Sequence, residues 1–171
     1  MTYELTPILP SAAILGTIAV IAMLLTSSRD WAADGRVRIR RAVWTTAVAV
    51  LSQAAHFSEE LITGFHQRLP ALFGLGPMSL RFFVSFNVAW LMIWSLCVWG
   101  VAARHRAALF PLWFLSVACI ANGVGHPSFS VLVGGYFPGL VTSPVVGVVG
   151  VLLVRQMLSV TEPVVSSPEA A

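Results

Sequence analysis

The stretch AVWTTAVAVLSQAAHFSEELITG, residues 42–64, decides how this chain folds. Most of it is apolar, and it is longer than the roughly 20 residues that a helix needs to cross a bilayer. It also carries His56, Glu59 and Glu60, and the two glutamates are the only carboxylates in any apolar stretch of the sequence. Charged groups inside a bilayer are costly, so the pattern predicts a membrane helix whose charges meet partners on other helices.

The composition indicates an integral membrane protein. Of 171 residues, 57% are hydrophobic and 10% are charged, whereas a soluble domain has about 25% charged residues. All ten basic residues are arginines, which excludes a lysine Schiff base such as the retinal linkage of microbial rhodopsins. The arginines form no basic stripe among polar neighbours, which excludes a nucleic-acid interface. Arginine without lysine, beside abundant Ala, Val and Gly, is typical of a GC-rich genome, so we predict a bacterial plasma membrane.

Five segments are long and apolar enough to span a bilayer. They are residues 6–26, 42–64, 80–102, 107–126 and 139–160. The predicted fold is an all-α, polytopic transmembrane helical bundle that forms a single domain over residues 1–160. Residues 161–171, which contain Pro and Ser, are predicted to form a disordered cytoplasmic tail.

The arginines are distributed unevenly between the two ends of this bundle. Eight lie at one end, namely Arg29, Arg36, Arg38, Arg40, Arg41, Arg104, Arg106 and Arg155. Only Arg68 and Arg81 lie at the other end. Because cytoplasmic loops are enriched in arginine and lysine, the N-terminus is predicted to be outside and the C-terminus in the cytoplasm.

Polar side chains of four different spans lie at one height in the membrane. At a rise of 1.5 Å per residue, they lie roughly 20–30 Å above the arginine-rich end, in the outer leaflet. These residues are His56, Glu60, Asn87, Asn122, His126 and Thr142. Their faces agree as well, because His56 and Glu60 are four residues apart, as are Asn122 and His126. The sequence therefore predicts one shared polar site inside the bundle.

Three sequence elements resemble a known family. HFSEE, residues 56–60, is similar to the signature of the HXXEE-motif family of small multi-pass bacterial membrane proteins. NGVGH, residues 122–126, resembles the family's Asn-x-x-x-His element, and YFPGLVT, residues 136–142, resembles its Tyr/Pro-Gly segment. The resemblance covers residues 50–155 and implies an architecture and a set of site residues. It implies no activity, because the family has no established function.

The first hypothesis is an intramembrane acid–base enzyme. Adjacent carboxylates in a poorly hydrated environment resist ionising together, so one keeps a proton while a histidine takes the opposite role. This chemistry suits isomerisation or cyclisation of a terpenoid, lipid or polyketide, and the His-x-x-x-Glu pair also resembles that of sterol-isomerase-like membrane proteins. The predicted catalytic residues are His56, Glu59, Glu60, Asn122 and His126. The predicted substrate-binding residues are Asn87, Trp90, Trp94, Tyr136 and Thr142.

Other readings of the same residues stay open at this point. His56, Glu60 and His126 form a two-histidine, one-carboxylate set of the kind that a divalent metal such as zinc accepts. The same groups suit a small-solute or proton transporter, or a purely structural protein. The two glutamates also suit the end of a helix that reaches interfacial water. The expected partners are a hydrophobic small molecule and membrane lipid, and the sequence decides neither for nor against a homodimer.

Overall fold

The computed structural model describes residues 6–33 and 35–164. In this part of the chain the fold is an all-α bundle, which confirms the predicted fold class. The helices are α1 (Leu9–Ser28), α2 (Arg36–Thr63), α3 (Phe65–Ala71), α4 (Leu80–Ala102), α5 (Leu109–Val133) and α6 (Ser143–Val160). Short 3₁₀ turns, Thr6–Ile8 and Arg106–Ala108, precede α1 and α5, and two three-residue strands are β1 (Arg29–Trp31) and β2 (Thr161–Pro163).

Four helical segments of the described chain are long and apolar enough to cross a membrane. They are Thr6–Ser28, Leu80–Ala102, Arg106–Val133 and Ser143–Val160. The 28-residue helix α2 lies among them and packs against α4 and α6, but its arginines and glutamates lower its mean hydropathy. The chain is therefore a multi-pass helical membrane protein with four to five spans.

Helix α5 is the centre of the bundle. It packs against α1 on one side and against α6 on the other, and α2 lies between α6 and α4. The most deeply buried side chains include Leu112, Trp113 and Leu115 of α5 and Leu153 and Met157 of α6. Membrane helices gain little from hydrophobic burial alone, because lipid is itself apolar, so close contact between small residues matters more. Gly123 of α5 and Gly147 of α6 provide such a contact.

The ends of α1 and α6 are tied together at the arginine end, which we define by Arg29, Arg104 and Arg106. β1 and β2 pair as antiparallel strands, and Arg29 donates from Nε to the Thr161 hydroxyl over 2.8 Å. Arg104 donates to the Ala33 carbonyl over 2.6 Å, and Arg106 forms an ion pair with Asp30. We call the opposite end of the bundle, where α2 ends and α4 begins, the distal end.

The predicted disordered tail begins too early. Thr161–Pro163 form β2, because β1, which directly follows α1, lies alongside them and pairs with them. Such pairing depends on partners 130 to 134 residues away in sequence, so local composition does not reveal it. Residues 165–171 of the predicted tail lie outside the described residues.

The predicted end of the fourth span at residue 126 is also wrong. α5 continues through Pro127 to Val133. Proline lacks a backbone N–H and disfavours a helix interior, but membrane helices tolerate it where neighbouring helices support the backbone. Here α6 packs against α5 at Gly123. The Gly123 carbonyl is the one that would accept a helical hydrogen bond from residue 127 if that residue had a backbone N–H. His126 is therefore a side chain of a continuous helix rather than a capping residue.

We expect Gly123→Ala to lower the thermal stability of the purified protein in detergent. The added Cβ would lie 2.5 Å from the Gly147 Cα, and backbone atoms of α6 cannot move aside without separating the two helices. Overpacking of this kind costs about 1–3 kcal/mol. Gly16→Ala on α1 is the matched control, because it meets no heavy atom within 4 Å. Equal melting temperatures for the two variants would contradict the close contact of α5 with α6.

Candidate functional site

Three ionisable side chains meet inside the bundle near its distal end. His56 and Glu60 lie one turn apart on α2, and His126 reaches them from α5. The His56 and His126 Nε2 atoms are 3.1 Å apart, and Glu60 Oε1 lies 3.6 Å from His56 Nε2 and 3.3 Å from His126 Nε2. The exposed fractions are 0% for His56, 6% for Glu60 and 3% for His126. We call these three residues the His–Glu centre.

The backbone of the 134–142 loop decides which nitrogen of His126 carries hydrogen. Its Nδ1 lies 2.5 Å from the Pro138 carbonyl oxygen. A carbonyl only accepts hydrogen bonds, so Nδ1 is the donor and bears the hydrogen. When the His126 ring is neutral, its Nε2 atom therefore carries no hydrogen and directs a lone pair toward His56 and Glu60.

The same tautomer follows for His56 by way of a threonine and a carboxylate. His56 Nδ1 is 2.7 Å from Thr142 Oγ1, and the Thr142 hydroxyl donates to Glu59 Oε2 over 2.5 Å. A hydroxyl has a single hydrogen to donate, so His56 Nδ1 must donate to Thr142. The Nε2 of neutral His56 therefore also presents a lone pair to the centre.

The inner atoms of the centre consequently consist of acceptors alone when both rings are neutral and Glu60 is ionised. Two imidazole lone pairs and a carboxylate oxygen repel one another in a buried position, where no water screens them. A bound cation or a shared proton removes this repulsion. The possible ligand atoms of the three residues all lie within 4.8 Å of one another.

Gly139 allows the 134–142 loop to lie against both imidazole rings. Its φ of +90° is in the region that favours glycine. A Cβ at this position would lie 2.5 Å from His126 Nδ1 and 2.9 Å from His56 Cε1. The rings pack edge to face, with centroids 4.6 Å apart, so the 134–142 loop closes over them only if residue 139 has no side chain.

Glu59 holds that loop in place. Its Oε1 accepts from the Tyr136 hydroxyl over 2.6 Å and from the Val141 N–H over 3.0 Å. Its Oε2 accepts from the Thr142 N–H over 2.8 Å and from the Thr142 hydroxyl. Partial burial raises the pKa of the Tyr136 phenol in this loop, and its hydrogen bond to Glu59 raises that pKa further. Tyr136 therefore remains a donor to Glu59 at neutral pH.

An apolar pocket of about 360 Å³ adjoins the centre. Its walls come from α1, α4 and α5, and Glu60 and His126 form part of its lining. The wall on the α4–α5 side is aromatic, because Trp90 stacks on Phe114 with centroids 4.5 Å apart and ring planes within 7°. Three amide side chains, Gln53, Asn87 and Asn122, and the serine Ser11 also line the pocket.

The predicted site residues fall into three groups in the structure. His56, Glu60 and His126 contact one another, as the common height and face of these residues predict. Asn87, Trp90, Trp94 and Asn122 line the pocket. Glu59, Tyr136 and Thr142 form the hydrogen-bonded support of the 134–142 loop, where Thr142 also contacts His56.

Two of the predicted catalytic residues direct their side-chain hydrogen bonds away from the other three. Asn122 donates to Gln53 Oε1 over 3.5 Å and so belongs to the pocket wall. Glu59 is bonded to the loop, and its carboxylate oxygens are occupied by four donors. Glu60 is buried, so its carboxylate does not reach the surface, as the interfacial reading requires. Glu59 is partly exposed at the loop, and for this residue the interfacial reading stays a prediction.

Three contributors to the site went unpredicted. Gln53 is one turn before His56 on α2 and lines the pocket, so the stripe that contains His56 and Glu60 was the available signal. Gly139 and the Pro138 carbonyl lie in the Pro-Gly segment, whose only sequence signal is a turn. A backbone carbonyl carries no mark in the sequence, so its role as acceptor for His126 becomes visible only in three dimensions.

No protein-family model matches the chain, and neither a curated protein nor a solved structure matches it. The fold and the site define a class of protein directly. It is a multi-pass helical membrane protein in which two histidines and a glutamate form a buried cluster beside an apolar pocket.

We expect Glu59→Gln to loosen the 134–142 loop. The glutamine amide offers one acceptor oxygen in place of two, and its NH₂ group would face hydrogen-bond donors of the loop. Loss of hydrogen bonds to a charged group costs about 1.5–3 kcal/mol each, so the melting temperature in detergent should fall and limited proteolysis should cut the loop faster. Tyr136→Phe removes one donor of the four and should have a smaller effect. Glu162→Gln, an exposed change at the arginine end, is the control, and equal behaviour of the Glu59 and Glu162 variants would contradict the anchoring role.

Proposed function

We propose that this protein is a membrane-embedded, metal-dependent enzyme that acts on a hydrophobic molecule at the His–Glu centre. The observation that supports this most is the convergence of the two Nε2 atoms and a Glu60 oxygen, which are all acceptors when both rings are neutral and Glu60 is ionised. A tetrahedral ion with bonds of about 2.0–2.1 Å holds its ligand atoms about 3.3–3.4 Å apart. The three inner distances in the centre, 3.1, 3.3 and 3.6 Å, fall around that value.

The groups behind the histidines also suit a metal site. A metal-binding histidine almost always donates its other ring hydrogen to a carbonyl, a carboxylate or water, which sets the tautomer and raises the basicity of the ligand nitrogen. His126 donates to the Pro138 carbonyl, and His56 donates to Thr142, whose hydroxyl donates in turn to Glu59. Two histidines and one carboxylate leave a coordination position free, as in catalytic zinc sites.

The pocket gives this centre access to a hydrophobic molecule. Glu60 and His126 line the pocket, whereas His56 lies behind them. A divalent ion at such a position polarises an oxygen atom of a bound molecule or lowers the pKa of a bound water. The chain supplies the three ligands, holds them in a water-poor environment and presents the pocket beside them.

A metal-free acid–base enzyme is the second candidate, and one contact favours it. Glu60 and His126 are close enough, at 3.3 Å, to share a proton, and that proton would relieve the repulsion among the inner atoms as a metal would. The pair would then give and remove protons at a substrate in the pocket. Isomerisation or cyclisation of a hydrophobic molecule is the reaction class that suits this chemistry.

Membership of the HXXEE-motif family and the membrane orientation belong to the same proposal. The three sequence elements that resemble the family, residues 56–60, 122–126 and 136–142, meet at the His–Glu centre and its supporting loop. Because eight of the ten arginines lie at the arginine end, we place that end in the bacterial cytoplasm and the centre in the outer leaflet.

We expect about one equivalent of divalent metal, zinc first, in protein purified without chelators and freed of any histidine tag. His56→Ala, Glu60→Ala and His126→Ala should each reduce the metal content to background, as measured by elemental analysis. His105→Ala is the control, because His105 is exposed at the arginine end. Less than about a tenth of an equivalent in the parent protein would overturn the metal-dependent proposal and favour the acid–base candidate.

Two glycine variants test the metal content without replacing any residue of the His–Glu centre. Gly139→Ala should lose metal because its Cβ would overlap both imidazole rings, whereas Gly134→Ala meets no heavy atom within 4 Å. Both glycines have positive φ, +90° and +66°, so the two variants share the backbone strain and differ in the clash. Equal metal content in the two would contradict the described packing of the rings.

We expect an impermeant maleimide to label Gly76→Cys on intact cells and to label Ala103→Cys only after lysis. Gly76 is exposed in the loop before α4, and Ala103 is exposed at the arginine end. The native Cys97 and Cys119 are buried, which keeps background labelling low. The reverse pattern would place the centre in the cytoplasmic leaflet.

A further inference from the structure

We propose that the pocket binds an uncharged, lipid-soluble molecule with a single oxygen function, such as a long-chain alcohol or ketone, which enters sideways from the lipid between α1 and α4. This inference rests on the proposed function, because it names the substrate class of the His–Glu centre. It depends on four features of the pocket, namely its charge, its unpaired polar groups, its size and aromatic wall, and its opening.

The first feature is the charge of the pocket. Among the described residues that line it, the only carboxylate and the only histidine are Glu60 and His126, and no arginine lines it. Arg68 on α3 and Arg81 on α4 lie toward the distal end without joining the lining. Proteins commonly recognise phosphate and carboxylate groups with arginine or lysine, so away from the His–Glu centre the wall of the pocket offers no partner for a phospholipid headgroup, a diphosphate or a fatty-acid carboxylate.

The second feature is a set of neutral polar groups without full partners. Ser11 of α1 is a lining residue, and its hydroxyl oxygen is buried and makes no hydrogen bond, although an unmet buried polar group costs about 1–3 kcal/mol. Rotation of this short side chain toward the pocket would bring the hydroxyl to a ligand. Asn87 donates from Nδ2 to the Phe83 carbonyl; its amide oxygen is left to accept. A hydroxyl or carbonyl group on the ligand can satisfy such atoms without bringing a charge into the pocket.

The third feature is the size and wall of the pocket. A volume of about 360 Å³ is at the lower end of the range for small-molecule sites, roughly 300–1,000 Å³, which suits one chain or one ring system rather than a two-chain phospholipid. The Trp94 indole satisfies its own polar atom by donating to the Pro111 carbonyl over 3.0 Å. The rings of Trp90, Trp94 and Phe114 therefore form an apolar surface against which a hydrocarbon chain can pack.

The fourth feature is the opening. Ile14 of α1 and Phe82 of α4 both line the pocket and are 42% and 44% exposed, so the pocket is not closed off where these two helices face each other. α1 packs mainly against α5, and α4 packs mainly against α2. The pocket therefore reaches the lipid-facing surface between α1 and α4, so a membrane-dissolved molecule does not have to pass through water.

Photo-crosslinking in lipid nanodiscs tests this inference. The probes are hexadecanol and palmitic acid that carry the same diazirine and alkyne groups, and labelled peptides are identified by mass spectrometry. We expect the alcohol probe to label pocket peptides of α4 and α5, with displacement by unlabelled hexadecanol. Stronger labelling of the same peptides by the acid probe, or labelling that unlabelled hexadecanol does not reduce, would overturn the inference.

Two matched pairs of variants keep the test specific. Ala121→Phe fills the pocket and should raise the half-displacing concentration of hexadecanol about tenfold, a loss of about 1.4 kcal/mol, whereas Ala89→Phe changes an exposed residue outside the lining. Ser11→Ala should raise it a few-fold, whereas Ser27→Ala, an exposed serine bonded to its own helix, should not. Equal values within both pairs would show that the probe binds elsewhere and would refute the inference.

Metal content measured on the same samples separates this inference from the proposed function. Specific binding of the alcohol by metal-free protein would support the pocket while removing the metal-dependent mechanism. A full equivalent of metal with no specific alcohol binding would overturn the substrate class and leave the metal centre standing.

Discussion

Two imidazole nitrogens face each other across 3.1 Å inside the bundle, and the hydrogen bonds on their far sides leave neither with a hydrogen when the rings are neutral. Glu60 adds a carboxylate oxygen to the same small volume. In a buried environment this arrangement is unfavourable unless a positive charge joins it, because unpaired acceptors and like charges are poorly screened there. The metal-dependent proposal, its acid–base alternative and the importance of the supporting loop all derive from that single electrostatic constraint.

The support for the centre is built from groups outside the three ionisable side chains. Glu59 gathers four donors from the 134–142 loop, and the loop then presents Thr142 to His56 and the Pro138 carbonyl to His126. Gly139 lets the backbone lie against both rings. Ligands held in this way keep one tautomer and one orientation, and a binding site gains affinity and specificity from such preorganisation.

The helix packing serves the same purpose at longer range. His56 and Glu60 lie on α2, and His126 lies on α5, so the centre exists only while these helices keep their relative positions. α6 packs against both of them, and the Gly123–Gly147 contact brings α5 and α6 together near the level of the loop. The looser side of the bundle, between α1 and α4, is the side on which we propose that the pocket opens to lipid.

The sequence by itself determined the membrane class, the all-α fold and the approximate spans, because hydrophobic content and length reflect the thickness of a bilayer directly. It also brought His56, Glu60 and His126 to one height and onto facing stripes, since helical rise and periodicity are regular. Only the tertiary structure decided that Glu59 anchors a loop instead of joining the centre, that α5 continues through Pro127, and that Thr161–Pro163 pair with Arg29–Trp31. Those outcomes depend on contacts between residues far apart in the chain, and on backbone atoms that every residue shares, so no local pattern of side chains records them.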